Sequence, residues 1–280
     1  MQHFEVRDLE AVGEAGPLEV LEPYDLFVYG HTGAYEDAYN RLLKDGKHSY
    51  RYFNCLTLPL EEWIGGGNPW FDWIDSVAVR RWHAVLTDTL GREARFIAFG
   101  KPRLFDWTVI SSARADTLIR KQMELSGSLT RNLFLDQLWL VPAEWMFDPA
   151  SGVTLGGCLT PAEMATWETN VGSYVKLARM QVQTRNGIVL FNGGTGAPTP
   201  TFFENSQWSW YWGPWESVVN RWRSDPRNVL SIDPGIDETR LLDTWIKYGG
   251  IISVTGDNRE QVKPFYERAA RCRKAGKVVP

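Results

Sequence analysis

An α/β fold, a (β/α)8 TIM barrel made irregular by a missing or shortened fifth helix, is what the 280-residue sequence predicts. Three observations carry the prediction. Short β-branched or aromatic runs alternate with stretches of helical period, which implies a mainly parallel sheet. Eight such runs fall between Asp25 and Thr255, which suits a closed barrel better than an open sheet. No internal repeat, low-complexity tract or long linker marks a boundary, so residues 1–280 read as a single domain. Residues 1–23 read as an N-terminal extension, 24–257 as the barrel strands, and 258–280 as the last helix and tail.

The strands are expected at Asp25–Tyr29 (DLFVY), Tyr50–Leu56 (YRYFNCL), Arg95–Phe99 (RFIAF) and Leu133–Leu138 (LFLDQL). Four more follow at Ile188–Asn192, Thr201–Asn205, Val229–Asp233 and Ile251–Thr255. Apolar residues at three- and four-residue spacing predict helices over Tyr35–Leu43, Val77–Leu90, Arg114–Leu125, Pro161–Gln183, Glu238–Tyr248 and Arg259–Arg273. Thr160-Pro161 is a good helix start, with a capping hydroxyl, proline at the first helical position and Glu163 close behind. Gly193–Pro200 is too short to hold a full crossover helix between the fifth and sixth strands. Between the second and third strands, in contrast, the stretch EEWIGGGNPWFDW is long and rich in Gly, Pro and Trp, a composition that more often marks a functional loop than an idle one.

Composition narrows the function. Hydrophobic residues make up 44% and charged residues 23%, the balance of a globular chain, which excludes disordered and collagen-like sequences. The formal net charge of −4 and the absence of a Lys/Arg run before the tail Arg268–Lys277 argue against a nucleic-acid partner. That tail reads as a solvated last helix with favourable C-terminal charge. No apolar run approaches the about 20 residues that a membrane span needs. The opening MQHFEVRDLEAVGEAG has neither the basic nor the apolar region of a leader, which leaves a cytoplasmic, a phage-borne and a mature secreted protein all open. Cys55, Cys158 and Cys272 are odd in number and far apart, so neither a disulfide framework nor a zinc knuckle is expected.

The informative excess is aromatic. Nine of the fourteen tryptophans crowd into two stretches, Trp63–Trp82 and Trp208–Trp222. Indole is costly to expose, so such clusters line a core or a binding surface. Pyranose rings offer flat C–H faces to aromatic rings and hydroxyls to planar polar groups. A Trp-rich cleft interleaved with Asp, Glu, Asn and Gln therefore suits sugars, with core filling as the rival explanation for any single Trp.

In a barrel, catalytic side chains project from the C-terminal ends of strands. Asp136 ends the apolar run LFLD and Glu204 ends TFFE, and a carboxylate there is costly unless paired or functional. Asn192, Asp233 and Asn54 occupy comparable places, and His31 and Asp257 follow the first and eighth strands. Asp233 and Asp257 also fit turn signals. The sequence has no HExxH, no metal-spaced cluster, no GxSxG, and in GGTGAPTP no Lys-Ser/Thr pair to make a phosphate loop, so no cofactor or metal is expected. Paired carboxylates without a metal are what glycosidic cleavage needs: one acid protonates the leaving oxygen, and the other attacks the anomeric carbon or activates water. Asp136 and Glu204 are the best pair, an Arg partner at the strand ends being the structural alternative. Trp139, Trp208, Trp210 and Trp212 are candidate stacking platforms. Asn192, Asn205 and Gln207 are candidates for binding hydroxyls, and Tyr29 for orienting a carboxylate; packing competes with binding for each.

The motifs LFLDQLW, FNG at the fifth strand and FFENSQW at the sixth resemble the hypothetical glycosyl hydrolase group and its relatives among endo-α-1,4-polygalactosaminidase-like TIM barrels. The likeness runs from Tyr24 to Asp257 on short, degenerate motifs. It implies a fourth-strand nucleophile, Asp136, and a sixth-strand acid/base, Glu204. The sequence departs from the pattern at Gln137, where a second Asp often follows, and in the shortened Gly193–Pro200 connection. Two functions are therefore expected to compete. One is a glycoside hydrolase acting on a polysaccharide. The other is a non-catalytic carbohydrate-binding or structural barrel, for instance a component of a phage or cell-surface assembly.

Overall fold

The computed structural model describes residues 4–6, 26–29, 48–98, 100–126, 131–193, 200–205, 214–232, 236–254, 264–265, 267–269 and 271–272. Eight strands occur among them: β1 (Phe4–Val6), β2 (Leu26–Tyr29), β3 (His48–Asn54), β4 (Asn132–Asp136), β5 (Val189–Phe191), β6 (Phe202–Asn205), β7 (Val229–Ile232) and β8 (Ile251–Val254). They form a five-stranded sheet in the order β1-β2-β3-β4-β5 and a three-stranded sheet β6-β7-β8. The registered pairs are parallel, with Phe4 opposite Leu26, Leu26 opposite His48, Phe202 opposite Val229 and Val229 opposite Ile251. A parallel bridge joins Phe191 to Thr201, and β1 also lies against β8. The fold is thus α/β with parallel sheets.

By its internal contacts the chain divides into two compact units, Met1–Tyr52 with Ser128–Phe134 and Ile188–Pro280, and Phe53–Gly127 with Leu135–Gly187. The first unit carries most of the sheet. Its strands are nearly continuous apolar runs, as expected where both faces are covered: β5 and β7 are buried at every position. Tyr50, Phe134, Leu190, Phe202 and Val229, one from each of β3 to β7, pack in a single cluster with Tyr52, Ile188 and Ile251 against it. The Phe134 ring lies 5.2 Å from Phe202 and 5.7 Å from Tyr52.

The second unit is largely helical. Helix α1 (Pro69–Ile74) runs into a wider π-helical turn, Asp75–Arg81. Helix α2 (Ser112–Leu125) packs along α4 (Pro161–Gln183), and a short α3 (Leu155–Cys158) precedes the latter. The predicted start of α4 is realised: the Thr160 hydroxyl accepts from Glu163 N at 3.3 Å, while Glu163 Oε2 accepts from Thr160 N at 2.8 Å. These hydrogen bonds hold the Glu163 carboxyl below its usual range. Thr160→Ala removes half of this reciprocal cap and is expected to lower stability by about 1 kcal/mol, read as a shift of the urea midpoint.

Helices α5 (Trp215–Trp222) and α6 (Glu238–Tyr248) belong to the first unit. The turn from α6 to β8 passes through Gly250 at φ +96°, where a Cβ would come within 2.6 Å of the Trp222 ring. Trp222 cannot yield, because it is buried and its indole N–H is held by the carbonyls of Asn228 and Ile251. Gly250→Ala is therefore expected to cost about 2–3 kcal/mol, through left-handed strain and overpacking together. A melting experiment with Gly156→Ala, where nothing lies within 4 Å, as control would check it.

Two sequence expectations are corrected here. Arg95–Phe99 does not supply a strand of the parallel sheet: Arg95 and Phe96 make isolated antiparallel bridges to Arg103 and Phe147. The helix expected over Val77–Leu90 ends at Arg81, and the rest is the first arm of a hairpin. The cause is local. Asp88 Oδ1 accepts from both Leu90 N and Arg92 N, and Asp88 N donates to Arg92 O, which closes a turn at Gly91. The eighth strand is instead Phe4–Val6, inside the stretch read as an extension; with only three residues it has too little pattern to stand out. The Tyr35–Leu43 helix lies outside the described residues. Those described within 259–273 are helical.

Candidate functional site

Asp136 is the last residue of β4, half-buried behind the fully buried Leu133, Phe134 and Leu135. Its carbonyl accepts from Cys55 N at 2.9 Å, which ties the end of β4 to the residue after β3. The next residue, Gln137, takes φ +50°, a conformation costly for a side chain with a Cβ. Asn54 bears on that turn from the end of β3. Its Nδ2 donates to Gln137 Oε1 at 3.1 Å, while its Oδ1 accepts from Leu56 N at 3.0 Å and Thr57 N at 2.9 Å. Gln137 is therefore a structural acceptor that turns the chain directly after the candidate carboxylate.

A buried layer supports these strand ends. Trp107 Nε1 donates to Cys55 O at 2.8 Å, and its ring lies 4.9 Å from that of Tyr174. The Tyr174 hydroxyl donates to Gln122 Oε1 at 2.7 Å. Burial pushes the Cys55 thiol and the Tyr174 phenol up, and the nearby Asp136 charge raises the thiol further. Both groups stay protonated, so neither offers a nucleophile. Composition hid this support, since Trp107 lies outside both tryptophan clusters; the Asp106 cap before Trp107 was its one local signal.

The other expected residues divide. Glu204 and Asn205 lie in β6 in register with Ser231 and Ile232 of β7, and Tyr29 closes β2 in register with Arg51. Asn192 follows β5 directly and is buried. Trp139 is also buried, edge-on to Trp145 at 5.2 Å, with its carbonyl accepting from Trp167 Nε1, so little of its ring is open to a ligand. Gln207, Trp208, Trp210, Trp212, His31, Asp233 and Asp257 lie outside the described residues. Trp222, from the same cluster, is a core residue. All three cysteines are free thiols, and burial pushes that of Cys158 up to about 12. Among the described residues no group of three or more His, Cys, Asp or Glu side chains gathers as metal ligands would, and no helix is long and apolar enough to cross a membrane.

No family model matches the sequence, and no curated protein matches it. Solved structures do match. The glycoside hydrolase domain of PelA from Pseudomonas aeruginosa is similar over 90% of this chain and 93% of its own, at 14% identity and a TM-score of 0.52. A cycloalternan-degrading enzyme from Trueperella pyogenes matches 98% of this chain at 9% identity and a TM-score of 0.57, and a dextranase from Flavobacterium johnsoniae matches 98% at 12% and 0.50. The chain spans 48% and 41% of those two enzymes. The chain therefore has a glycoside hydrolase-like fold.

Proposed function

We propose that the protein is a glycoside hydrolase that cleaves a polysaccharide, with Asp136 and Glu204 as its two carboxylates. The observation that carries this reading is the position of Asp136: an acid closing a buried strand, its backbone held by Cys55 and followed by a turn braced through Asn54 and Gln137. The glycoside hydrolase-like fold supports it. So does the strand order, because β4 neighbours β5 in the sheet and β5 bridges to β6, which carries Glu204. The same bridge, with the contact of β1 and β8, supports reading the strands as one irregular (β/α)8 barrel. In this mechanism Asp136 attacks the anomeric carbon while Glu204 protonates the departing oxygen, then deprotonates the water that releases the sugar. Tyr29, Asn192, Asn205, Gln207 and the tryptophans at 139, 208, 210 and 212 are the proposed sugar contacts; carbohydrate, rather than nucleic acid, is the proposed partner.

The test is release of reducing ends from a panel of neutral and amino-sugar polysaccharides. Wild type is compared with Asp136→Asn and Glu204→Gln. Turnover by wild type that both substitutions suppress is expected. Binding without product from any of the three would overturn the hydrolase in favour of a carbohydrate-binding protein.

A further inference from the structure

The loop after β3 holds an aromatic surface that the two-carboxylate chemistry does not use. Trp63 is 47% exposed, unusual for so large an apolar ring. Its other face is stacked on Phe71, ring centroids 5.7 Å apart and planes 20° from parallel. On the same helix as Phe71, Trp70 stacks on Trp73 at 5.5 Å, and Trp73 meets Trp82 edge-on at 6.1 Å.

The platform is rigidly mounted. Asn68 Oδ1 caps α1 by accepting from Trp70 N and Phe71 N, Pro69 occupies the first helical position, and Asp72 Oδ1 accepts from Gly65 N at 2.6 Å. Its rim is polar and open: Glu62 is exposed, Asp72 is half-buried, and a Cβ at Gly65 or Gly67 would meet nothing within 4 Å. Trp70 packs edge-on against Phe53 at 5.0 Å, and Phe53 is two residues before Cys55, whose N–H holds the Asp136 carbonyl. The loop is thus anchored at the end of β3, the neighbour of the strand that carries the candidate nucleophile.

We propose that Trp63, backed by Phe71, is a stacking subsite for a pyranose of the polysaccharide chain whose bond Asp136 attacks. The ligand class follows from the shape and the rim. A flat ring, fixed behind and open in front, matches the C–H face of a sugar, and the exposed carboxylate of Glu62, next in the chain, can accept a hydroxyl. A protein partner would instead need about 800 Å² of complementary surface on each side, far more than one half-exposed indole supplies. The subsite rests on the hydrolase reading for its role, but its binding is separately measurable.

The experiment is affinity electrophoresis in gels containing dextran, a galactan or partially acetylated chitosan, run with wild type, Asp136→Asn, Trp63→Ala and Trp63→Phe. Retardation of wild type and of Asp136→Asn by at least one polymer is expected. Trp63→Ala should weaken that binding about tenfold, and Trp63→Phe should restore most of it, as stacking requires. Because Trp63 is half-exposed, its truncation loses only the stacking on Phe71 and should lower the melting temperature by no more than about 5 °C. Retardation without hydrolysis by wild type would leave the subsite standing and remove the enzyme. Hydrolysis with Trp63→Ala retarded like wild type would remove the subsite and leave the enzyme. Absence of retardation in every gel, or a Trp63-dependent dimer in sedimentation, would overturn the sugar assignment.

Discussion

Asp136→Asn is expected to lower polysaccharide hydrolysis by about 10³-fold or more while leaving the fold intact. Asparagine keeps the size of the side chain but can neither form a glycosyl ester nor carry the charge that steadies an oxocarbenium-like transition state. Two local contacts persist without the charge: the Cys55 N–H meets the Asp136 backbone carbonyl, and the turn is braced through Gln137. Circular dichroism and melting should therefore match wild type. A second comparison separates the two acids. On aryl glycosides with acidic leaving groups, Glu204→Gln should keep much of its rate, since departure no longer needs a proton, whereas Asp136→Asn should lose as much as on polymer. Adding azide to Asp136→Ala should recover turnover as a glycosyl azide of inverted configuration. Hydrolysis by Asp136→Asn at the wild-type rate would end the assignment of Asp136.

Phe134→Ala is the largest stability effect expected. Phe134 is 1% exposed and packs with Tyr50, Leu190, Phe202 and Val229. Truncation loses both the burial of the ring and its contacts with Tyr52 and Phe202, for about 3–5 kcal/mol. A domain is held by about 5–15 kcal/mol in all, so the variant should be largely unfolded at modest urea concentrations. Phe134→Leu, which fills most of the volume, should cost only about 1–2 kcal/mol. Leu90→Ala, at a side chain 76% exposed, should stay within about 0.5 kcal/mol of wild type. Urea midpoints of the three variants check the ordering; equal midpoints for Phe134→Ala and Leu90→Ala would show that this cluster is not the core.

Seven of the eight strands were legible because a parallel strand covered on both faces is mostly apolar, as LFL, VLF and VLSI are. The same criterion admitted RFIAF falsely. An apolar run of that length also suits one arm of a hairpin, and only Asp88, read as part of a helix, and Gly91 just after that helix marked the turn. Two capped helices, Pro161–Gln183 and Glu238–Tyr248, were legible to the residue, whereas Ser112–Leu125 was read from Arg114 and the short capped helices Pro69–Ile74 and Leu155–Cys158 were not read. Helix α5 was missed because its indoles drew attention away from the apolar spacing of Val218, Val219 and Trp222. At the site, Asp136 stood out as a charge ending an apolar run. The Asn54–Gln137 brace could not, since it joins residues 83 positions apart through one amide hydrogen bond.

The adjacency of β1 and β8 has a consequence for how the protein is made. A ribosome releases Phe4–Val6 well before a neighbour of that strand, Ile251–Val254, because the two lie far apart in the sequence. At bacterial or eukaryotic translation speeds the nascent N-terminal edge waits on the order of ten to fifty seconds for this contact. During that interval it is exposed to chaperones and to neighbouring nascent chains.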